Sequence, residues 1–548
     1  MILSPAPMRR VLTILVPVFL ALACNGPLGE EEYSPKKAIV VSVFLGDEQL
    51  TLTSPSSGIS PEEKECRITF SKPVDISRFN PGKLRLSEGS FSVSKGPNEY
   101  SVLLKFKETF SHFNKYSIVL DEGENFGLLL DEQYVYVFTT SYDTSDKFPR
   151  ITTDSLLTLV EKQTFKYFRD YAHPVSGMAR ERLGSGETVT TGGSGFGLAA
   201  IVAAVHRGLI SREEGYAQVL KITDFLASAE SFHGVFPHWM NGSTGAAIPF
   251  STHDDGADLV ETAFLMEGLL ACRNYFSGGG EAELRNKITA LWEAVEWDWF
   301  ERNDALYWHW SPNYDWQMNM KISGWNEGLI VYVLGASSPT HGISRSSYDN
   351  GWARGGGMRN GRQFYGITLP LGSDYGGPLF FAHYSFMGLD PRGLSDQYAN
   401  YWEQNVAHAR INHAYCAANP KDYEGYSAQC WGLTASDIPD GYTASSPTND
   451  NGVIAPTAAL ASMPYTPEES IAAMEYFYYV LGDRLFGEYG FRDAFSLGAH
   501  WFAPSYLAID QGPIVVMIEN YRSGAVWDAF MKDPDVAAGL AKLGFSRE

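Results

Sequence analysis

The stretch Ser251–Leu270, STHDDGADLVETAFLMEGLL, decides how this chain is read. From Leu259 onward it has the continuous apolar character of a buried helix, yet Asp254, Asp255, Asp258 and Glu261 crowd the approach to it. Free N–H groups and the dipole at a helix start attract carboxylates, which accounts for one or two of the four. A helix that begins at or before Asp254 would carry Asp254, Asp258 and Glu261 on one stripe, at i, i+4 and i+7. Like charges on one stripe repel, so this reading requires compensating groups or a chemical use for the acids.

Outward from this stretch the same texture continues in both directions. DSLLTLVEKQTFKYFRDYA, SREEGYAQVLKITDFLASAE, EAELRNKITALWEAVEWDWF, GWNEGLIVYVLGA and TPEESIAAMEYFYYVLGDRLF all carry helical periodicity. SREE reads as a capping box, and TPEE places Pro467 in a first turn with acids behind it. Between the helices lie loops rich in Gly, Pro and aromatics, such as FHGVFPHWMNGSTGAAIPFSTHDDG and GYSAQCWGLTASDIPDGYTASSPTNDNG; loops of that length are uncommon unless they have a function. Successive helix pairs joined by elaborate loops, over residues 146–548, fit an α/α toroid in a mainly α chain. TTGGSGFG lacks the Lys-Ser/Thr ending of a phosphate loop and is better explained by helices packing through small residues.

Residues 36–145 read differently. AIVVSVFL, CRITFSKPVD, KLRLS, YSVLLKF, YSIVLDEG and VYVFTTS alternate with period two and are broken by turn residues, which indicates a small β-sandwich. Ahead of it, MRRVLTILVPVFLALAC has Arg9 and Arg10, an apolar run and small residues before Cys24, the pattern of an export signal over residues 1–23. LALAC resembles a bacterial lipobox with Cys24 as the lipidated residue, although Ala21 stands where Leu is usual and Ala21-Leu22-Ala23 also fits an ordinary signal-peptidase site. Residues 24–35 then read as a solvated tether. The expected location is the cell envelope of a bacterium, lipid-anchored at the outer membrane, or secreted.

The chain has 548 residues, which favours two folded units plus a leader, and 44% hydrophobic residues, which excludes a disordered chain. A formal net charge of −22 argues against nucleic acid and favours neutral or cationic ligands. Thirteen Trp and thirty Tyr supply flat faces on which sugar rings stack, though most will be core. The cysteines match no zinc pattern. Cys416 and Cys430 are near enough to close a small loop by a disulfide, and Cys272 reads as a buried thiol.

Glycoside hydrolysis needs two carboxyl groups, one protonated to assist the leaving oxygen and one ionised as base or nucleophile. Asp254, Asp258 and Glu261 are one supply. Glu327, after Trp325 and Asn326 at the start of an apolar helix, is a second; as a bare first-turn acid it would only complement the helix dipole. A third lies in SYLAIDQGPIVVMIENYRSG, where Asp510 and Gln511 precede a Gly-Pro helix start, Asp510 reads equally as a cap, and Glu519 reads as a partner of Arg522.

TTGGSGFGLAAIVAAVHRGLISREE, GVFPHWMNGSTG, DDGADLVETAFLMEGLLACRNYF, SGWNEGLIVYVLGASSPTH, GGPLFFAHYSFMGLDPRG, CWGLTASD and IDQGPIVVMIENYRSG, in this order, resemble the bacterial glycoamylase-like family, which includes endo-β-1,2-glucanases. The resemblance runs from Pro149 to the C-terminus. It implies an (α/α)6 barrel with a cleft for a β-1,2-linked glucan at one mouth, and acidic residues from the first motif and from GWNEG at the cleavage point. Carried over by position, these are Asp254, Asp258, Glu261 and Glu327. Glu327 is expected to donate the proton, and Asp258, supported by Asp254, to position or activate water, with inversion. His238, Trp239, His253, Trp325, Asn326, Tyr384, Trp431, Asp510 and Gln511 are the candidate sugar contacts, with core packing as the competing reading for each aromatic. His383 and His413 read as satisfied core histidines. ITFSKPVDISRF and YVFTTS resemble the bacterial Ig-like domains that precede secreted glycan-active modules.

Three other activities fit a toroid. A polysaccharide lyase would release ultraviolet-absorbing unsaturated products, and an inactive glycan-binding protein would retain glycan without turnover. An exo-acting or α-glucan-cleaving hydrolase is the alternative within the hydrolases. No metal or organic cofactor is required by any motif, and a monomer is expected.

Overall fold

A computed structural model describes residues Tyr33–Arg547. Cys24, the export signal and most of the tether lie outside the described residues. The chain divides into two compact units, one comprising residues up to Ser56, Glu62–Thr109 and Tyr116–Phe138, the other Ser57–Pro61, Phe110–Lys115 and Thr139 onward.

The first unit is β-structured. Its five-stranded antiparallel sheet runs in the order Glu48–Leu50, Val40–Leu45, Glu65–Phe70, Ser101–Phe106, Phe91–Lys95. Register places Val43 opposite Ile68 and Ile68 opposite Val102, all three fully buried, so one face of the alternating pattern is core. Leu84–Leu86 pairs with Lys115–Leu120 in a second sheet, where Ile118 is likewise fully buried. Each of the six alternating segments read from the sequence contains a strand.

The second unit is helical. Its α-helices are α1 (Thr153–Arg169), α2 (Thr191–His206), α3 (Arg212–Leu226), α4 (Leu259–Tyr275), α5 (Ala282–Glu293), α6 (Leu329–Ser337), α7 (Tyr401–Ala418), α8 (Pro456–Ala461), α9 (Pro467–Glu475), α10 (Gly482–Leu485), α11 (Ala508–Arg522), α12 (Ala525–Met531) and α13 (Pro534–Leu543). Helices α2, α4, α6, α8 and α11 are buried nearly all round, α6 and α8 with apolar and small residues and α4 and α11 with a few buried polar groups among the apolar ones, while α1, α3 and α5 bury one face. The buried segments touch in sequence: α2 on α4, α4 on α6, and α6 on the short turn Tyr384–Phe386. From there His383 Nε2 meets Ser462 Oγ at the end of α8 (2.9 Å), α8 packs on α11, and α11 returns to α2.

The small-residue reading of TTGGSGFG is correct, and the reason is contact of main chain with main chain. A Cβ on Gly195 of α2 would stand 2.1 Å from the carbonyl oxygen of Phe264 in α4, and one on Gly268 would stand 2.1 Å from that of Gly195. The capping box at Ser211 and Glu214 and the first-turn Pro467 are both present.

Four sequence readings are corrected. Helix α4 begins at Leu259 with Asp258 as its cap, so Asp254, Asp258 and Glu261 do not form a helical stripe; Asp254 lies in a tight turn bridged to Ser251. Glu327 precedes α6, whose cap is Gly328, and so is not a first-turn acid. Cys416 and Cys430 are separate buried free thiols, not a disulfide; Cys272 is the buried thiol expected. Glu519 pairs with Arg207, at 2.8 and 2.9 Å, because Arg522 is turned to Glu161 and Asp154 of α1.

Candidate active site

Short strand pairs beside α2 and α4 deliver the site's side chains. Ala257–Asp258 pairs antiparallel with His309–Trp310, which sets His309 directly opposite Asp258. Thr188–Thr190 pairs with Trp239–Asn241, and Thr191 N–H donates to the His238 carbonyl (3.1 Å), bringing His238 over the start of α4.

Asp258 is wholly enclosed. Its Oδ1 accepts from the N–H groups of Val260 and Glu261, both at 3.0 Å, satisfying two free donors of the helix start. Its Oδ2 lies 3.0 Å from His238 Nδ1 and 3.4 Å from His309 Nε2. His309 Nε2 is also 3.2 Å from Asp254 Oδ2. Glu261 Oε2 accepts from Gly192 N–H at 2.7 Å, and its Oε1 stands 3.9 Å from His238 Nε2. A side chain on Gly192 would collide with this carboxylate. Asp254, Asp258 and Glu261 are therefore compensated by two histidines and a set of backbone N–H groups, while the fourth acid, Asp255, accepts from Asn313 Nδ2 (2.8 Å).

The electrostatics follow from this geometry. Burial works against charge on His238, but the carboxylates of Glu261, Asp258 and Asp254 outweigh it and raise its pKa to about 9. For His309, burial is likewise overcome by Asp254 and Asp258, again to about 9. Burial opposes ionisation of Asp258 too, yet hydrogen bonds from the two histidines hold it below the usual carboxylate range. Glu261 is shifted upward, first by burial, with Asp258 and Asp254 adding and His238 opposing. His238, Asp254 and Asp258 bring donor atoms within 4.8 Å of one another, a spacing that suits a metal ion. His238 Nδ1 and His309 Nε2 are committed to these carboxylates, whereas His309 Nδ1 is buried without a hydrogen-bond partner among the described residues.

Glu327 has a different setting. Burial, opposed by a hydrogen bond from its own backbone N–H and reinforced by the charges of Asp258 and Glu261, raises its pKa to about 7, and no cationic side chain among the described residues offsets the shift. Its backbone is fixed from both sides: Asn326 Oδ1 accepts from Gly328 N–H (2.9 Å), and the Ser385 hydroxyl donates to the Glu327 carbonyl.

Glu327, Glu261, Glu181 and Arg182 face a cavity of about 450 Å³ whose walls include Trp239, Phe250, Phe264, Trp308, Phe380, Tyr384 and Tyr442. Of the expected contacts, His238, Trp239 and Tyr384 line it. Asp254 and Asp258 stand behind the wall: His238 joins Asp258 to it, and His309 bridges the two acids. Trp325 is core, against Phe386 and Tyr401, and Trp431 is fully buried with its Nε1–H donating to the Glu469 carbonyl (3.2 Å). Asn326 is a turn cap, and Gln511 donates to the Phe491 carbonyl. His253 packs edge-on to Tyr314 and is not on the wall, because its ring is turned to the loop that carries Tyr314. Asp510 is buried behind Leu507 and Ile509, which do reach the wall. His383 is a buried histidine bonded to Ser462, and His413 bonds the Ala428 carbonyl.

The sequence reading missed Glu181, Arg182, Phe250, Trp308, His309, Phe380 and Tyr442. Phe250 and Tyr442 lie in the two loops whose length marked them as functional, and His309 sits in the aromatic run YWHW. Glu181 and Arg182, in a short connection, gave no such signal.

The helical unit thus encloses an aromatic cavity with acids on its wall and a charge-compensated acid cluster beside it. The chain belongs to the glycoamylase-like family. The Glycoamylase family model matches residues 319–534. An endo-β-1,2-glucanase structure from Chitinophaga pinensis, in complex with sophorotriose and glucose, is 51% identical, with a TM-score of 0.71 over 72% of this chain and 99% of that one. A β-1,2-glucanase structure from Parabacteroides distasonis is 36% identical, with a TM-score of 0.70 over 93% of this chain and 73% of that one. An exo β-1,2-glucooligosaccharide sophorohydrolase (non-reducing end) of Parabacteroides distasonis is 45% identical over 419 residues, or 72% of this chain. The chain spans 58% of that curated relative's length.

Proposed function

We propose that this protein is a glycoside hydrolase that cleaves β-1,2-glucan internally, on an (α/α)6 toroid preceded by an Ig-like β-sandwich. The observation that carries the chemistry is Glu327: a cavity-wall carboxyl, free of cations, with its pKa at about 7, so that it still holds a proton near neutral pH. Glu327 donates that proton to the glycosidic oxygen as the C1–O bond breaks. A water attacks C1 from the opposite face and loses its proton to Glu261, whose Oε2 is fixed on Gly192 N–H and whose other oxygen points toward His238. This route inverts the anomeric carbon. The water-activating role expected of Asp258 passes to Glu261, since Asp258 is fully enclosed with both oxygens engaged. Asp258, Asp254, His238 and His309 then serve as the charged scaffold that holds Glu261 in place.

Support for the linkage comes from the Chitinophaga pinensis endo-β-1,2-glucanase, nearly all of whose chain is matched. The sophorohydrolase relative favours a second reading, exo release of disaccharide. Product analysis on β-1,2-, β-1,3-, β-1,4- and α-1,4-glucans tests both. Endo action gives a ladder of oligosaccharides from long β-1,2-glucan at early times, whereas exo action gives disaccharide from the outset. Cleavage of α-1,4-glucan alone, or unsaturated products, would overturn the reading. We further propose a monomer exported to the bacterial cell envelope and anchored by lipid at Cys24. Retention of Cys24→Ser in the membrane fraction would refute the anchor.

A further inference from the structure

Arg182 brings a guanidinium to the cavity wall, about a third exposed, and it is locked on two sides. Its Nε donates to both oxygens of Glu181, at 3.0 and 2.9 Å, and its Nη1 donates to Asp437, at 3.1 and 3.4 Å. Its Nη2 has no protein partner among the described residues. Asp437 is fixed in turn: Ser505 Oγ donates to its Oδ2 (2.5 Å), and its own N–H donates to Asp493 Oδ2 (2.7 Å).

Behind Asp437 lies a buried pair of carboxyls. No N–H or O–H reaches either Asp510 oxygen or Asp493 Oδ1, and buried polar atoms without partners are rare. The two groups face each other, and a proton held between them supplies the missing bond; burial, with Asp437 adding, accordingly pushes Asp493 up to about 7.

Arg182 and Glu181 thus present a free N–H donor and a carboxylate acceptor side by side on one wall. That is the complement of two adjacent hydroxyls on a sugar ring. In a glucan linked through O2, the 3- and 4-hydroxyls of every unit are free, whereas β-1,3 and β-1,4 linkages each remove one of them. We propose that Arg182 and Glu181 bind the 3,4-diol of a glucosyl unit and so contribute to selection of the β-1,2 linkage. This rests on the glucan-hydrolase reading above.

The test is steady-state kinetics of Arg182→Lys and Glu181→Gln on β-1,2-glucooligosaccharides, with thermal unfolding of each variant and calorimetric binding to Glu327→Gln protein. Arg182→Lys keeps the charge and loses the fork. The expected result is a KM raised roughly tenfold to a hundredfold with kcat within about twofold, the size of one lost hydrogen bond to a charged group. The doubly substituted Glu327→Gln, Arg182→Lys protein should bind oligosaccharide more weakly by the same factor. Asp437→Asn, a positioning change, should raise KM in the same direction at an unfolding temperature close to wild type. If the wild type cleaves β-1,2-glucan while Arg182→Lys keeps its KM, or loses kcat alone, this inference is wrong and the functional reading stands. If the wild type cleaves no β-1,2-glucan, both fall.

Discussion

The starts of α4 and α6 each offer carboxylates to the same cavity, and the protein treats them in opposite ways. At α4, Asp258 and Asp254 are met by His238, His309 and two backbone N–H groups, so burial is overcome and Asp258 stays ionised. At α6, Glu327 is met by no cation, so burial wins and its proton is retained to about pH 7. The difference lies in the neighbours: the paired acid that caps α4 is a structural charge, and the unpaired acid just ahead of α6 is a poised proton.

The sharpest way to break this comparison is Glu327→Gln. It should cost roughly 10²- to 10⁴-fold in kcat, the usual worth of a general acid, with no loss of unfolding temperature. Near-wild-type hydrolysis by a folded Glu327→Gln protein would dissolve the contrast. Asp258→Ala should act on the fold instead. Leaving His238 and His309 without their shared partner, and two helix N–H groups without an acceptor, should cost about 3–5 kcal/mol in urea unfolding.

A pH series reads both sites at once. The wild-type kcat/KM should fall as pH rises through about 7, as Glu327 loses its proton. The stability supplied by His238 and His309 has the raised-pKa sign: it is fully present below the ordinary value of 6.5 and lost as pH rises through about 9, visible as a falling unfolding temperature. The smallest effect expected is that of His309→Gln on the activity profile. With one cation gone, Asp258 and Asp254 repel charge on Glu327 more strongly, so the alkaline limb should move to higher pH.

Periodicity made the fold legible wherever one face or a whole helix had to be buried, as in the strands around Ile68 and in α2, α4 and α11. The carboxylates of the site were legible too, since four acids before an apolar helix and a lone glutamate after Trp-Asn are unusual. Which of them reach the cavity was not. Whether Asp258 is sealed and Glu261 open depends on where α4 starts, and that is set by the pairing of Ala257–Asp258 with His309–Trp310 across some fifty residues of sequence. Trp325 and Trp431 carry the residue type of a sugar platform but are core, because an aromatic face serves packing as well as stacking. Arg182 was invisible because its meaning comes from Asp437, which lies in a distant loop.

The touching backbones of Gly195 and Gly268 restrict how this pocket can change. Helices already in contact through their main chains cannot be drawn closer by trimming a side chain, and a single methyl on either glycine would push them apart and carry Glu261 away from Gly192. Variants selected for bulkier or differently branched substrates should therefore carry their changes in the hairpin bearing Tyr442 and the loop bearing Phe250, with the α2–α4 seam left as it is.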